Sequence, residues 1–127
     1  AIPNVVYTDP EIAWCGLTEQ QAKDQAVDCK IARFPWSASG RASAVGRNEG
    51  LTKLLIDPTN DRILGVGISG NNAGELIAEG VLAVEMGALA SDIQLSIHPH
   101  PTLSETFMEA ADVYYGQSPH MYTPRRN

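Results

Sequence analysis

Along the first half of the chain, apolar residues alternate with polar ones in short runs; in the second half they recur at helical spacing. "NVVYT" (4–8) predicts a strand, and "DPEIAWCG" (9–16) a turn followed by more extended chain. "LTEQQAKDQAV" (17–27) predicts a helix capped by Thr18, with Gln21 three residues on completing a capping box. "CKIARFPW" (29–36) alternates as a strand and is stopped by Pro35. The polar, glycine-rich stretch 37–50 predicts a loop or an irregular hairpin. "LTKLLID" (51–57) and "RILGVGIS" (62–69) then form a hairpin across the turn residues of "DPTND". In its second strand Leu64, Val66 and Ile68 share a face, while Gly65 and Gly67 leave the other bare, an invitation to a closely packed helix.

The helices follow. "AGELIAEGVLAVEMG" (73–87) is apolar nearly all round, which predicts burial between a sheet and something else. "ASDIQLSI" (90–97) is a shorter helix with Asp92 in its first turn. In the last helix Leu103, Phe107, Ala111 and Tyr114 fall on one face, and Glu105, Glu109 and Asp112 on another. No internal repeat interrupts the pattern. Strands followed by segregated helices make the fold class α+β: an antiparallel or mixed sheet flanked by helices, an α/β sandwich.

Composition narrows the function. A chain of 127 residues, 43% hydrophobic and 19% charged, suits one globular domain over 1–127 with a real core. Its net charge of −6 argues against nucleic acid, since the nearest basic patch is only Arg41 and Arg47 in a Gly/Ser-rich stretch. No apolar run approaches the ~18 residues of a membrane span, and no signal peptide opens the chain. Cys15 and Cys29 are too few and too far apart for a disulfide framework or zinc knuckle, and read as free thiols of a reducing cytoplasm. An abrupt strand-like start without Met suggests a piece of a longer protein.

"GVGISG" (65–70) matches the dinucleotide-binding pattern G-x-G-x-x-G and precedes a helix. The context fails, because its glycines alternate with Val66 and Ile68 inside a strand instead of forming the turn after it. The second parallel strand that should carry a ribose-binding acid is also missing. Packing is the simpler use for these glycines.

"SIHPHPTLSETFMEAA" (96–111) raises a sharper question: why two histidines between prolines at the mouth of a helix? His98 and His100 could point to one side and chelate, but zinc needs three or four ligands and the remaining histidine, His120, lies in a polar tail. No metal is expected. An acid–base pair fits better. Thr102 and Glu105 satisfy the capping-box pattern T-x-x-E, and a side chain at that position reaches back toward the residues before the helix, where His100 stands. A carboxylate there would fix the imidazole's tautomer and suit it to proton transfer near neutral pH. The plain alternative is a helix cap beside a partly buried turn residue.

"HPHPTLSE" (98–105) resembles the H-x-H-P-T-x-S-E signature near the C-terminus of the dihydrolipoamide dehydrogenase family, within the flavin-dependent pyridine nucleotide–disulfide oxidoreductases. "IPNVVYTDPEIAWCGLTEQQA", "FPWSASGRA", "GLTKLLIDPTNDRILGVGISGNNAGELI" and "LAVEMGALASDI" are similar to that family's C-terminal interface (dimerisation) domain in the same order, so the resemblance covers essentially the whole chain. It implies a homodimer whose subunits carry FAD and NAD domains, with the cofactors bound mainly outside this chain. It implies that His100 is the catalytic base and Glu105 its orienting partner, acting on the flavin and redox disulfide of the other subunit. His98 and Pro101 would stand behind the base, His100's backbone would lie near the flavin, and the His100–Pro101 bond would be cis. Dihydrolipoamide would be the substrate and lipoyl domains of 2-oxoacid dehydrogenase complexes the partners, in the cytoplasm.

Glutathione reductases share the H-P-T-x-x-E core, but the H-x-H doublet and Thr106 favour lipoamide. A purely structural dimerisation module is the remaining alternative. Cys15 and Cys29 do not match the family's C-x₄-C pair, so the chain alone is expected to be inactive. The surplus of Phe107, Met108, Tyr114 and Tyr115 on the last helix gives the dimer modest physical support, although in a domain of this size such a surplus is more often plain core.

Overall fold

The computed structural model describes residues 1–118; His120 lies outside them. Five strands form one antiparallel sheet: β1 (Asn4–Val6), β2 (Ile12–Gly16), β3 (Lys30–Pro35), β4 (Leu51–Ile56) and β5 (Ile63–Ser69), in the order β1-β2-β5-β4-β3. Helix α1 (Glu19–Asp24) links β2 to β3, α2 (Gly40–Ala44) lies between β3 and β4, and α3 (Ala73–Glu85), α4 (Ala90–Leu95) and α5 (Glu105–Tyr114) follow the sheet. The α+β class and every strand predicted from the alternation are present.

Register explains the core. Cys15 and Leu54 flank Val66, while Ala13 and Thr52 flank Ile68, and Ala32 and Phe34 continue the row on β3. These side chains are buried beneath α3, which packs on β2 and β5, and α5, which packs on β3 and β4. On the opposite face Trp14, Gly67, Lys53 and Arg33 lie in one row. There Glu19 of α1 accepts from Lys53 Nζ at 2.8 Å and from Arg33 at 2.9 Å. The capping box of α1 forms as its spacing predicts: Thr18 Oγ1 accepts from Gln21 N, and Gln21 Oε1 from Thr18 N, both at 3.1 Å.

Several expectations are corrected. The stretch 37–50 is no plain loop, since Trp36–Ala38 makes a 3₁₀ turn and Ser39 caps α2 by accepting from Ala42 N at 3.2 Å. What organises it is Trp36, fully buried, whose indole lies against Gly50 and Gly70, where any Cβ would collide with the ring.

In β5 the pairing shifts by one residue, Leu55 opposing Gly65 but Ile56 opposing Ile63. This bulge at Leu64 puts Ile63 in the core and leaves Leu64 half-buried. No helix comes to Gly65 and Gly67: Gly65 is crossed by the Leu17 backbone, and Gly67 lies under the stem of Lys53. The glycine that admits a helix is on the helix itself, Gly80 of α3 against Val66.

Finally, α3 is covered on one side only, and its Leu82 and Met86 are exposed, as are Leu95 and Ile97 beyond it. On α5, by contrast, Phe107 is buried and Tyr114 and Tyr115 bond Asp61 through their hydroxyls, so that surplus is largely spent inside the domain. Glu109, on the face it shares with Glu105 and Asp112, is likewise buried.

Candidate functional site

The candidate site is the turn between α4 and α5. Ser96 ends α4, its hydroxyl donating to Asp92 O at 2.6 Å. Two prolines within four residues deprive the next stretch of amide donors, and residues 97–101 make no backbone–backbone hydrogen bond among the described residues. Side chains hold it instead. Thr102 Oγ1 donates to Pro99 O at 2.6 Å, and Glu105 Oε1 accepts from Thr102 N at 2.8 Å. The latter is the reach-back half of the predicted capping box. The other half is absent: α5 begins at Glu105, after a tight first turn in which Thr106 N and Phe107 N donate to Leu103 O and Ser104 O, and Thr102 spends its hydroxyl on Pro99 and Ser104.

The two histidines part company here. His98 turns inward, its side chain only 7% exposed, with Nδ1 2.8 Å from Ser96 O and Nε2 2.5 Å from Glu79 Oε1 on α3. His100 turns outward with 73% of its side chain exposed, and its Nδ1 lies 3.0 Å from both oxygens of Glu105. The structure therefore brings His100 and Glu105 together and keeps His98 on partners of its own, so the two rings do not form a chelate. The His100–Pro101 peptide is cis, as the resemblance implies; Asp9–Pro10 is cis as well.

The chemistry follows from the inventory of donors and acceptors. A carboxylate only accepts, so the imidazole Nδ1 must carry the hydrogen that Glu105 receives, which leaves the Nε2 lone pair directed away from it. Glu105 lies in the first turn of α5, whose free amides favour negative charge. A cavity of ≈ 180 Å³ adjoins the pair, lined by Phe34, His100, Glu105, Thr106 and Glu109 among others. Its inner wall is fixed by a buried chain. Trp36 Nε1 donates to Thr52 Oγ1 at 2.9 Å, Thr52 meets Thr106 Oγ1 at 2.8 Å, and Thr106 Oγ1 donates to Leu103 O at 2.7 Å. Because Thr106 spends its hydrogen on Leu103, Thr52 is the donor between the two threonines. Sequence reasoning missed both this chain and Glu79; the only trace of the latter was its place among the three glutamates of a mostly apolar helix.

The other sequence candidates are filled by the chain itself. A Cβ on Gly65 would lie 1.9 Å from Leu17 O, and the N-terminus of α3 receives the Glu11 carboxylate, with Gly74 N 2.9 Å from Oε2. Neither leaves a cradle for a pyrophosphate, so these residues do not fit a dinucleotide. Cys15 and Cys29 are both free, and burial pushes each thiol up from its ordinary pKa, away from a reactive thiolate. No helix of the described residues is long and apolar enough to cross a membrane.

Comparison with known proteins points one way. Residues 2–111 match the family described as "Pyridine nucleotide-disulphide oxidoreductase, dimerisation domain". The dihydrolipoyl dehydrogenase of Buchnera aphidicola is 53% identical over 115 residues, 91% of this chain and 24% of that protein. That of Thermus scotoductus is 53% identical over 120 residues, 94% of this chain and 26% of that protein. The chain thus spans about a quarter of the length of these relatives. Among solved structures, LpdA from Mycobacterium tuberculosis superposes with a TM-score of 0.83 at 24% identity, covering 87% of this chain and 24% of the other. The Cu(II) complex of the HOCl-induced flavoprotein disulfide reductase RclA from Escherichia coli gives 0.82 at 25% identity, covering 87% and 25%.

Proposed function

Because the chain belongs to the pyridine nucleotide-disulphide oxidoreductase dimerisation-domain family, we propose that it is the dimerisation domain of a dihydrolipoamide dehydrogenase and supplies that enzyme's catalytic base. The observation that carries the reading is the His100–Glu105 pair: one ring nitrogen held at 3.0 Å by a carboxylate, the other nitrogen free, on an exposed ring. His100 Nε2 takes the proton of a dihydrolipoamide thiol and leaves a thiolate. Glu105 stabilises the imidazolium that results and keeps the ring from turning. The stiff turn lets His100 present its nitrogen outward, into the site of a partner subunit.

FAD and NAD⁺, held by domains outside this chain, would carry the electron pair away from the substrate. The chain's own residues bind neither through the "GVGISG" segment. His98 and Pro101 support the base from behind. The homodimer is the functional unit, lipoyl domains of 2-oxoacid dehydrogenase complexes are its partners, and the cytoplasm is its place. The relatives named dihydrolipoyl dehydrogenase at 53% identity support lipoamide over glutathione.

The test is His100→Ala in the intact flavoenzyme. Dihydrolipoamide-to-NAD⁺ turnover should fall by roughly 10²-fold or more, the scale of a lost general base. NADH oxidation by an artificial acceptor, which needs flavin but no thiol base, should survive. Survival of both would reduce the turn to a structural element and sink the assignment.

A further inference from the structure

The turn that carries His100 has no backbone bonding of its own from 97 to 101. Its side-chain bonds to Ser96, Pro99, Thr102, Ser104 and Glu105 all remain within the turn and the start of α5. Among the described hydrogen bonds of His98 to Glu105, one reaches another element: His98 Nε2 to Glu79 Oε1, on α3, 19 positions away in sequence. The ring of His98 is nearly buried while Glu79 is about one-third exposed, so the bond is made at the foot of the turn, against the helix that α3 lays on the sheet. Both ring nitrogens of His98 face oxygens. Ser96 O can only accept, and so can an ionised Glu79. Both nitrogens of His98 are therefore engaged, in contrast to His100, which has one nitrogen bare.

We infer that Glu79, acting through His98, is a positioning residue for His100: the pair clamps the turn to α3 and fixes where the base stands. The inference rests on His100 being the base. Its mechanism is geometric. With Pro99 joining the two histidines, a His98 ring released from α3 frees the backbone on which His100 is mounted, and displacements of about an ångström in a catalytic group cost up to ~10²-fold. The pair does not touch the reacting atoms, so its loss should appear in the chemical step and not in substrate binding.

The experiment compares Glu79→Ala and Glu79→Gln in the intact flavoenzyme. Glu79→Ala should lower kcat for dihydrolipoamide oxidation roughly tenfold or more while KM moves less than about twofold. NADH oxidation by an artificial acceptor should be unchanged, and the amide of Thr102, held by Glu105 at 2.8 Å, should exchange hydrogen faster. Glu79→Gln, whose amide oxygen can accept the same hydrogen, should recover most of the loss. A kcat for Glu79→Ala within about twofold of the parent overturns the inference. Should that variant fail to hold flavin, the unaltered enzyme decides. Its nitrogen-15 spectrum should show both ring nitrogens of His98 engaged in hydrogen bonds, and a ring nitrogen without one refutes the clamp. Failure of the base assignment is separate, since it shows as retained thiol-dependent turnover in His100→Ala.

Discussion

Tyr114 is the residue whose surroundings act most plainly on its chemistry. Burial, then the hydrogen bond its hydroxyl gives Asp61 Oδ1 at 2.5 Å, push its pKa up from 10.0 to about 12. The neutral phenol is thereby favoured in the folded chain. A raised value means that the folded state holds a proton the unfolded state has already released, so this stabilisation is intact below 10 and lost progressively as pH rises toward 12. Tyr114→Phe should flatten that alkaline limb in denaturation curves recorded across the window, and tyrosinate absorbance should lose its latest-titrating component. A limb of unchanged slope would mean Asp61 and burial do not govern Tyr114. Residues bonded over short spans were legible in the sequence: Thr18 with Gln21, and His100 with Glu105, both follow from helix-start geometry. Tyr114 with Asp61 and His98 with Glu79 were not, because 53 and 19 positions separate the partners and only the packing of helices on the sheet brings them together.

At the scale of elements, the strand patterns of the sequence located all five strands, and the alternation is cleanest in β2 and β3, where one face is buried and one face of a strand is every second residue. It could not locate the bulge. An extra residue at Leu64 changes which side chains face inward without changing how apolar the segment looks, so Ile63 took the core position expected of Leu64. Helix α2 escaped for another reason: it is built of small and polar residues and depends on Trp36 beneath it, not on an apolar stripe of its own. The two glycines of β5 give a test of close approach. A Cβ on Gly65 would meet Leu17 O at 1.9 Å, backbone that cannot retreat without breaking the Leu17 N–Leu64 O bond of 2.9 Å. A Cβ on Gly67 would meet only Lys53 Cε at 3.4 Å, an ordinary contact with a movable stem. Gly65→Ala should therefore cost about 1–3 kcal/mol in chemical denaturation, and Gly67→Ala about 0.5 kcal/mol or less in either direction. Equal costs would show that overall strand propensity, not the Leu17 crossing, selects glycine at 65.

For the whole molecule the question is where a second copy sits. The matched family is a dimerisation domain, yet the aromatic residues of α5 that hinted at an interface turn out to be buried, as Phe107 is, or bonded to Asp61, as Tyr114 and Tyr115 are. Exposed apolar side chains stand at the N-terminal edge, Ile2 and Tyr7 among them, and along α3 and α4, the set that runs toward the His98 turn. Leu82 is 62% and Met86 74% exposed, one helical turn apart, and Leu95 and Ile97 extend the exposed apolar side chains toward the His98 turn. A second copy of the same chain is the occupant that the family match supports. Contact there would also leave the base near the boundary between subunits, where a residue acting in its partner's site has to stand.

Leu82→Glu and Met86→Glu place carboxylates where the dimer would desolvate them, on a chain already at −6. Each should weaken dimerisation of the intact enzyme by about 2 kcal/mol or more, the scale of a central contact, or roughly 30-fold in Kd. Both positions are exposed within the chain itself, so the stability of the isolated domain should change by no more than about 0.5 kcal/mol. That contrast separates a lost interface from a damaged fold. Sedimentation of the parent and variants over a dilution series reads the first quantity, and dihydrolipoamide turnover over the same series should fall as dimers separate, since a monomer presents His100 to no active site. Dimers that withstand both substitutions would move the interface away from α3 and onto another face of the sheet.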